Sequence, residues 1–125
     1  MINVLRIGDI VARPKALGFV QHLGVVTGSD RIFENTPDKG EHLSTLQEFA
    51  AGQSVTVHPT AVVPAHVKAR VRRALTNYQP FRLFGRNCED SVYEVVEGKA
   101  RSPQLRWWLA IGAVLFLILL WTRSR

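Results

Sequence analysis

Cysteine is almost absent from the sequence, because Cys88 is the only one in 125 residues. A single cysteine excludes an intramolecular disulfide and any zinc site built from several thiolates. The four histidines (His22, His42, His58 and His66) stand apart, without the close spacing of a metal-binding motif. We therefore expect no metal and no cofactor.

Excess charge is also lacking from residues 1–100, which contain twelve Lys/Arg and ten Asp/Glu, a net charge of +2. Residues 101–125 contain four arginines and no acid, which supplies the remaining +4 of the total +6. A nucleic-acid-binding surface needs clustered positive charge on the folded part of a chain. This distribution argues against a nucleic-acid partner.

The N-terminal segment MINVLRIGDIVARP has no apolar stretch of roughly 7–15 residues and no small-residue cleavage site. It is therefore not typical of a signal peptide. We expect the chain to begin in the cytosol.

The order of short patterned segments predicts a small α+β domain over residues 1–98, with a small antiparallel sheet and packed helices. The predicted strands cover residues 4–12 with a turn or bulge at Gly8-Asp9, then 22–27, 31–34 and 53–58. Gly28-Ser29-Asp30 is the predicted hairpin turn, and 35–40 the predicted loop. Three helices are predicted. The first begins with a capping box formed by Ser44 and Gln47, and the last begins at Asn87 and ends at Gly98. The second begins at Pro64 and has an apolar face made of Val67, Val71, Ala74 and Tyr78.

Trp107 to Trp121 is a run of fifteen residues without a charge. Such a helix spans about 22 Å, short of the ~30 Å hydrocarbon core of a bilayer. Tryptophans at both ends, flanking arginines that can extend outward and the lack of any polar face nevertheless favour a spanning helix over a helix docked on the protein's own core. We predict a linker at 99–106, a transmembrane anchor at 107–122 and a basic C-terminus at 123–125. The slight excess of positive charge before the span predicts a tail-anchored protein whose domain is cytoplasmic.

Cys88 stands at the expected start of a helix, with Asn87 as the cap. The helix dipole and free backbone N–H groups favour the thiolate form, although Glu89 and Asp90 oppose this effect. Such a cysteine is a candidate nucleophile if an imidazole helps it, and an inert small core residue if none does.

Three motifs occur in a characteristic order: Gly8-Asp9-Ile10-Val11, then residues 22–28 (HLGVVTG), then Asn87-Cys88-Glu89. Together they resemble the lecithin retinol acyltransferase family, a circularly permuted branch of the NlpC-type papain-like thiol hydrolases. The apolar tail resembles that of the tail-anchored phospholipase/acyltransferase members. The resemblance covers nearly the whole chain and implies a permuted papain-like fold.

Position by position, the resemblance implies that Cys88 is the nucleophile and His22 its general base. The third position falls on Glu34, where better-known members have a histidine. A carboxylate there can accept from the imidazole Nδ1–H, and neighbouring Asn35 is the alternative third residue. A turn centred on Gly28 predicts that His22 and Glu34 face each other on adjacent strands.

The leading functional hypothesis is a membrane-anchored thiol acyl-transfer enzyme that works through a Cys88 acyl-thioester. The backbone N–H of Cys88, next to the Asn87 cap, is the expected oxyanion donor. The expected partners are the lipid bilayer and an acyl-bearing substrate, with phospholipid suggested by location. Two alternatives stay open: a cysteine peptidase or amidase, and a catalytically idle membrane adaptor of the same fold.

Overall fold

The structure is a computed structural model that describes residues 4–125, so residues 1–3 of the predicted domain lie outside the described residues. In chain order its elements are β1 (Ile10–Lys15), a turn (Ala16–Gly18), β2 (Val20–Gly28), β3 (Arg31–Thr36), β4 (Gly40–Ser44), α1 (Leu46–Ala50), β5 (Thr56–His58), α2 (Pro64–Thr76), α3 (Cys88–Glu97) and α4 (Pro103–Arg123). The strands form one antiparallel sheet in the order β4-β3-β2-β1-β5. The predicted α+β class with a small antiparallel sheet is confirmed.

The alternation of side chains along the strands gives the sheet two buried faces. One face packs against α2 and α3 through apolar side chains from β1, β2 and β3, among them Ala12, Val25 and Phe33. The other face is covered by α1, whose Phe49 packs against Val26. Helices on both sides therefore protect the middle of β2 and β3 from water, so His22, Glu34 and Asn35 are buried although they do not all point to the same face.

The β2–β3 hairpin differs from the predicted register. Gly28 pairs with Arg31, so the turn is Ser29-Asp30 rather than the predicted Gly28-Ser29-Asp30, and its centre lies beyond Gly28, on which the predicted register was based. A bulge between Val26 and Gly28 then shifts the pairing, and Gly24 rather than His22 lies opposite Glu34. The later turn alone moves the register by three residues, and the extra residue of β2 at the bulge moves it back by one. The predicted face-to-face pairing of His22 with Glu34 is therefore wrong by two residues, although both still point to the same side of the sheet.

The sequence analysis predicts a loop over 35–40 and no strand after it, so strand β4 is a correction. β3 continues to Thr36, and β4 begins at Gly40. The sequence GEHLS lacks the β-branched residues of a typical strand. Its polar side chains are tolerated because Glu41 and Ser44, both buried, find polar partners inside the fold.

The ends of two helices also differ from the predictions. The capping box of α1 joins Thr45 and Glu48, one residue later than predicted, and Ser44 turns its hydroxyl to Glu34 instead. Helix α2 ends at Thr76, so Tyr78 lies beyond it and is exposed instead of completing the apolar face.

The first predicted strand is only partly correct. Residues 4–7 form no strand, and Gly8 makes a turn with a φ of 99°. The run after the turn does form β1 and continues to Lys15, while the strand predicted at 53–58 is limited to Thr56–His58.

The two C-terminal helices form where their sequence signals lie. Asn87 caps α3 and Gly98 ends it in the left-handed conformation, as predicted. Helix α4 begins at Pro103, inside the predicted linker, and its 21 residues span about 31 Å. Its mean hydropathy reaches 1.9 over eighteen residues, and none of that stretch is buried. The chain thus has one C-terminal helix long and apolar enough to cross a membrane.

Candidate active site

Cys88 is the first residue of α3, and a reciprocal capping box holds it there. The Asn87 side chain accepts from the Asp90 backbone N–H at 3.0 Å, and the Asp90 carboxylate accepts from the Asn87 N–H at 3.0 Å. The box explains why an acid follows so closely after a candidate thiolate: it completes the cap. It also occupies the Asn87 backbone N–H, which is therefore not free to act as an oxyanion donor.

The backbone N–H of Cys88 itself donates to no acceptor within residues 4–125. A first-turn N–H has no partner inside its own helix. This leaves one free backbone donor next to the thiol.

His22 and Glu34 form a buried pair on β2 and β3. The Nε2 atom of His22 lies 2.9 Å from the Glu34 Oε1 atom, and both side chains are about 95% buried. The contact crosses the ladder diagonally, since Glu34 lies opposite Gly24. Ser44 donates its hydroxyl to Oε2 of Glu34, and the His22 ring stacks on Phe49 with centroids 5.3 Å apart. These contacts fix the orientation of the imidazole.

The ring nitrogen of His22 that faces Glu34 is not the predicted one. The resemblance predicts that Glu34 accepts from Nδ1–H, but it accepts from Nε2–H instead. Nδ1 is therefore the ring nitrogen left to interact with the Cys88 thiol, and that interaction raises the pKa of His22 and lowers the pKa of Cys88. The order of groups is thiol, imidazole, carboxylate.

The protonation of the three groups reflects this order. Burial alone would lower the pKa of His22, but its hydrogen bonds to Cys88 and Glu34 outweigh burial and raise it. Burial would raise the pKa of Cys88, yet the hydrogen bond with His22 and the nearby charge of Lys15 lower it. Burial would likewise raise the pKa of Glu34, but hydrogen bonds from His22 and Ser44 lower it. The surroundings therefore shift the pKa of each of the three groups in the direction that favours its charged form.

Two further polar side chains contact the site, and the sequence analysis identifies neither. The Nζ atom of Lys15 lies 4.0 Å from the Cys88 Sγ atom. The Nε2 atom of His42 lies 3.9 Å from the Glu34 Oε2 atom. His42 had been interpreted as a surface histidine, but it lies on the missed strand β4 and is half-buried, whereas His58 and His66 are exposed as expected.

Asn35, the alternative third residue, is brought to the opposite face of the sheet. It is fully buried there, and its Nδ2 donates to the Arg86 carbonyl oxygen at 2.8 Å and to the Ser91 hydroxyl at 2.9 Å. Successive residues of a strand point to opposite faces, which separates Asn35 from His22. The structure thus brings Glu34 to His22, and Asn35 to α3.

The start of α4 is bound to the same end of the sheet. Oε1 of Glu89 accepts from the Ser102 hydroxyl at 3.0 Å and from the Gln104 backbone N–H at 2.9 Å. The Gln104 side chain in turn pairs with the backbone N–H and carbonyl of Gln21. No local signal marks Gln104, because its partner lies 83 residues away along the chain. These bonds connect the residues next to Cys88 and His22 with the C-terminal helix.

The described residues contain no cluster of three or more His, Cys, Asp or Glu able to hold a metal ion. A scan against protein-family models finds no match to this chain, and a search of curated proteins finds none either. The arrangement of the site residues is therefore the main basis for a functional proposal.

Proposed function

We propose that this protein is a membrane-anchored thiol acyl-transfer enzyme in which Cys88, His22 and Glu34 act together. The observation that carries the proposal is the order of these groups: a helix-capped thiol of lowered pKa, an imidazole beside it, and a carboxylate 2.9 Å behind the imidazole. Thiol, imidazole and acceptor in this order are the parts of an activated nucleophile. Such an arrangement suits the permuted papain-like fold that the sequence resembles.

In the proposed first step the Cys88 thiolate attacks an ester or amide carbonyl carbon, and a C–S bond forms. The carbonyl oxygen takes the negative charge and accepts from the free Cys88 backbone N–H. Collapse of this intermediate breaks the ester or amide bond, and His22 gives its Nδ1 proton to the leaving oxygen or nitrogen. The products of this step are the acyl-thioester and an alcohol or amine.

In the second step water, an alcohol or an amine attacks the thioester carbonyl. His22 takes the proton of the attacking group, the C–S bond breaks, and the thiolate is restored. Glu34 keeps its proton-free form throughout and stabilises the imidazolium whenever it forms. No redox change and no metal is needed in either step.

Helix α4 serves in this proposal as a single-pass C-terminal anchor with the domain in the cytoplasm. Its length of about 31 Å matches a hydrocarbon core, and Trp107, Trp108 and Trp121 stand near its ends. An anchor holds the domain within reach of lipid, which makes the ester bonds of glycerophospholipids natural substrates.

The test is to trap the acyl-enzyme. The full chain in detergent is incubated with phosphatidylcholine and, separately, with peptide esters and amides, and intact mass is measured after acid quench. We expect an acyl mass on Cys88 from the lipid that neutral hydroxylamine removes, and no such mass on Cys88→Ala. The alanine variant should keep its free energy of unfolding within about 1–2 kcal/mol, so a missing adduct is not a folding defect.

If only the peptide esters or amides give an adduct, the substrate is a peptide or amide and the proposed lipid substrate is wrong. Absence of any adduct, together with iodoacetamide reactivity no higher than that of an unperturbed cysteine at pH 7, would contradict the enzyme proposal. The chain would then be an idle membrane adaptor.

A further inference from the structure

Two turns near Cys88 carry large apolar side chains that the fold leaves in water. In the β1–β2 turn region Leu17 is 98% exposed and Phe19 is 70% exposed. In the turn closed by pairing of Arg82 with Arg86, Leu83 is 56% exposed and Phe84 is 65% exposed. Large apolar groups clustered at one site of a protein commonly mark a contact surface. We call these four side chains the apolar rim.

Both turns are connected to the start of α4. The Phe19 ring meets the Trp108 ring edge to face, with centroids 6.5 Å apart. The Leu83 carbonyl accepts from Asn87 Nδ2 at 3.0 Å, and the same amide group donates to the Ser102 hydroxyl at 3.0 Å. Two separate parts of the apolar rim are thus held beside the first turns of the apolar helix.

The backbone of the first turn is unfavourable for its sequence. Ala16 and Leu17 have φ values of 50° and 59°, a left-handed conformation that favours glycine. Strained residues persist when surrounding contacts hold them. Here the pairing of Lys15 with Val20 and the hydrogen bond from the Phe19 N–H to the Ala16 carbonyl, at 3.2 Å, hold the backbone of the turn. The turn therefore presents the Leu17 side chain outward, with nearly all of its surface free.

We propose that the apolar rim is a second membrane contact, which rests in the headgroup and upper acyl region of the same leaflet that the first turns of α4 enter. The continuity of Phe19 with Trp108 identifies the bilayer as the occupant, because tryptophans at the end of a spanning helix lie at that depth. This inference rests on the anchor of the proposed function and not on its chemistry.

The consequence is a fixed orientation of the candidate active site. Cys88 directly follows Asn87, which holds the second turn, and lies 4.0 Å from Lys15, which precedes the first. With both turns against the bilayer, the start of α3 faces the lipid surface. The ester carbonyls of a phospholipid lie at the boundary between headgroups and acyl chains, and this orientation places the buried Cys88 at the side of the domain next to that boundary.

The test measures the depth of single spin labels on the full chain in phosphatidylcholine vesicles. The Cys88→Ala background leaves one reactive thiol in each of Leu17→Cys, Phe84→Cys, Ser29→Cys and Val114→Cys. Ser29 is the matched control, since it is an exposed turn residue at the other end of β2, about 30 Å from Leu17. Val114, in the middle of α4, reports whether the helix spans the bilayer.

We expect labels at 17 and 84 to collide more often with oxygen than with a water-soluble nickel complex, and the label at 29 to show the reverse. If the labels at 17 and 84 collide mainly with the nickel complex, as expected for the label at 29, while the label at 114 lies in the hydrocarbon, then α4 spans the bilayer but the apolar rim does not contact it. Burial of only one turn also overturns the single surface proposed here. If 114 itself is in water, the anchor fails, and this inference fails with it.

Discussion

The side chain of Gln104 pairs with the backbone of Gln21 as a neighbouring strand would. Its Oε1 accepts from the Gln21 N–H at 2.7 Å, and its Nε2 donates to the Gln21 carbonyl at 3.0 Å. Gln21 directly precedes His22, and the Gln104 N–H donates to Glu89, which directly follows Cys88. One residue of the first turn of α4 therefore braces the chain next to both candidate catalytic groups.

Loss of this brace should loosen β2 at His22. Gln104→Leu removes both side-chain bonds and leaves two backbone groups of Gln21 without their partners. We expect the backbone amides of residues 21 and 22 to exchange hydrogen faster. Turnover should fall roughly tenfold, because the imidazole of His22 is less well positioned. The pH profile should not change, because no charged group is removed. Arg101→Gln is the control, because it breaks an exposed ion pair with Glu97 nearby. Equal effects of the two variants would show that the brace has no specific role.

The charge of Glu34 should determine how wide a pH range the enzyme is active in, measured as the pH dependence of kcat/KM. The Glu34 carboxylate contributes to the raised pKa of His22, and the His22 hydrogen bond to the lowered pKa of Cys88. Glu34→Gln keeps an acceptor for Nε2–H but removes the charge. His22 then loses its proton at lower pH and Cys88 at higher pH, so the bell-shaped profile of kcat/KM narrows from both sides. The maximal rate should fall by about 10-fold to 1000-fold.

Asn35→Ala is the matched control for that prediction. It removes buried hydrogen bonds on the other face of the sheet, which costs about 1–3 kcal/mol of the free energy of unfolding. Its pH profile should match that of the wild type. A narrowed profile in Asn35→Ala, with a normal one in Glu34→Gln, would transfer the third catalytic role to Asn35.

The His22–Glu34 pair should also stabilise the fold within a limited pH range. The lowered pKa of Glu34 contributes stability above its ordinary value of 4.5, which is lost as pH falls through the folded pKa. The raised pKa of His22 contributes stability below its ordinary value of 6.5, which is lost as pH rises through the folded pKa. Chemical unfolding should therefore show the largest difference between wild type and Glu34→Gln between these two values. A difference that is flat from pH 4 to pH 9 would refute the ion pair.

Lys15 should tune the reactivity of the thiol. Its ammonium group, 4.0 Å from Sγ, contributes to the lowered pKa of Cys88. Lys15→Met keeps most of the apolar stem and removes the charge, so iodoacetamide should react several-fold more slowly at pH 7 and equally fast at high pH, where the thiolate is complete. Lys39→Met, in an exposed turn, should leave the whole curve unchanged.

Truncation should separate the anchor from the domain. Deleting residues 105–125 removes the apolar part of α4 but retains Ser102 and Gln104, so the protein should stop pelleting with membranes and keep its melting temperature within a few degrees. Deleting 102–125 also removes both partners of the buried Glu89 carboxylate, and the melting temperature should drop further. Aggregation of the longer fragment would show that α4 is part of the core.

The sequence by itself determined those features that depend on residues close together along the chain. The capping box at Asn87, the end of α3 at Gly98 and the apolar run of α4 follow from spacings of three or four residues and from composition. The sequence also singled out Cys88 and His22, because they belong to short motifs in a characteristic order, and it singled out Glu34 only through the third position that the family resemblance implies.

Only the tertiary structure decided how these residues meet. The turn at Ser29-Asp30 together with the bulge after Val26 made the His22–Glu34 contact diagonal, and the imidazole stacked on Phe49 turns Nε2 rather than Nδ1 to the carboxylate. Strand β4 brought His42 to Glu34, and α4 brought Gln104 to Gln21. Each of these contacts depends on strand register or on packing between segments distant in sequence, and neither leaves a local pattern to read.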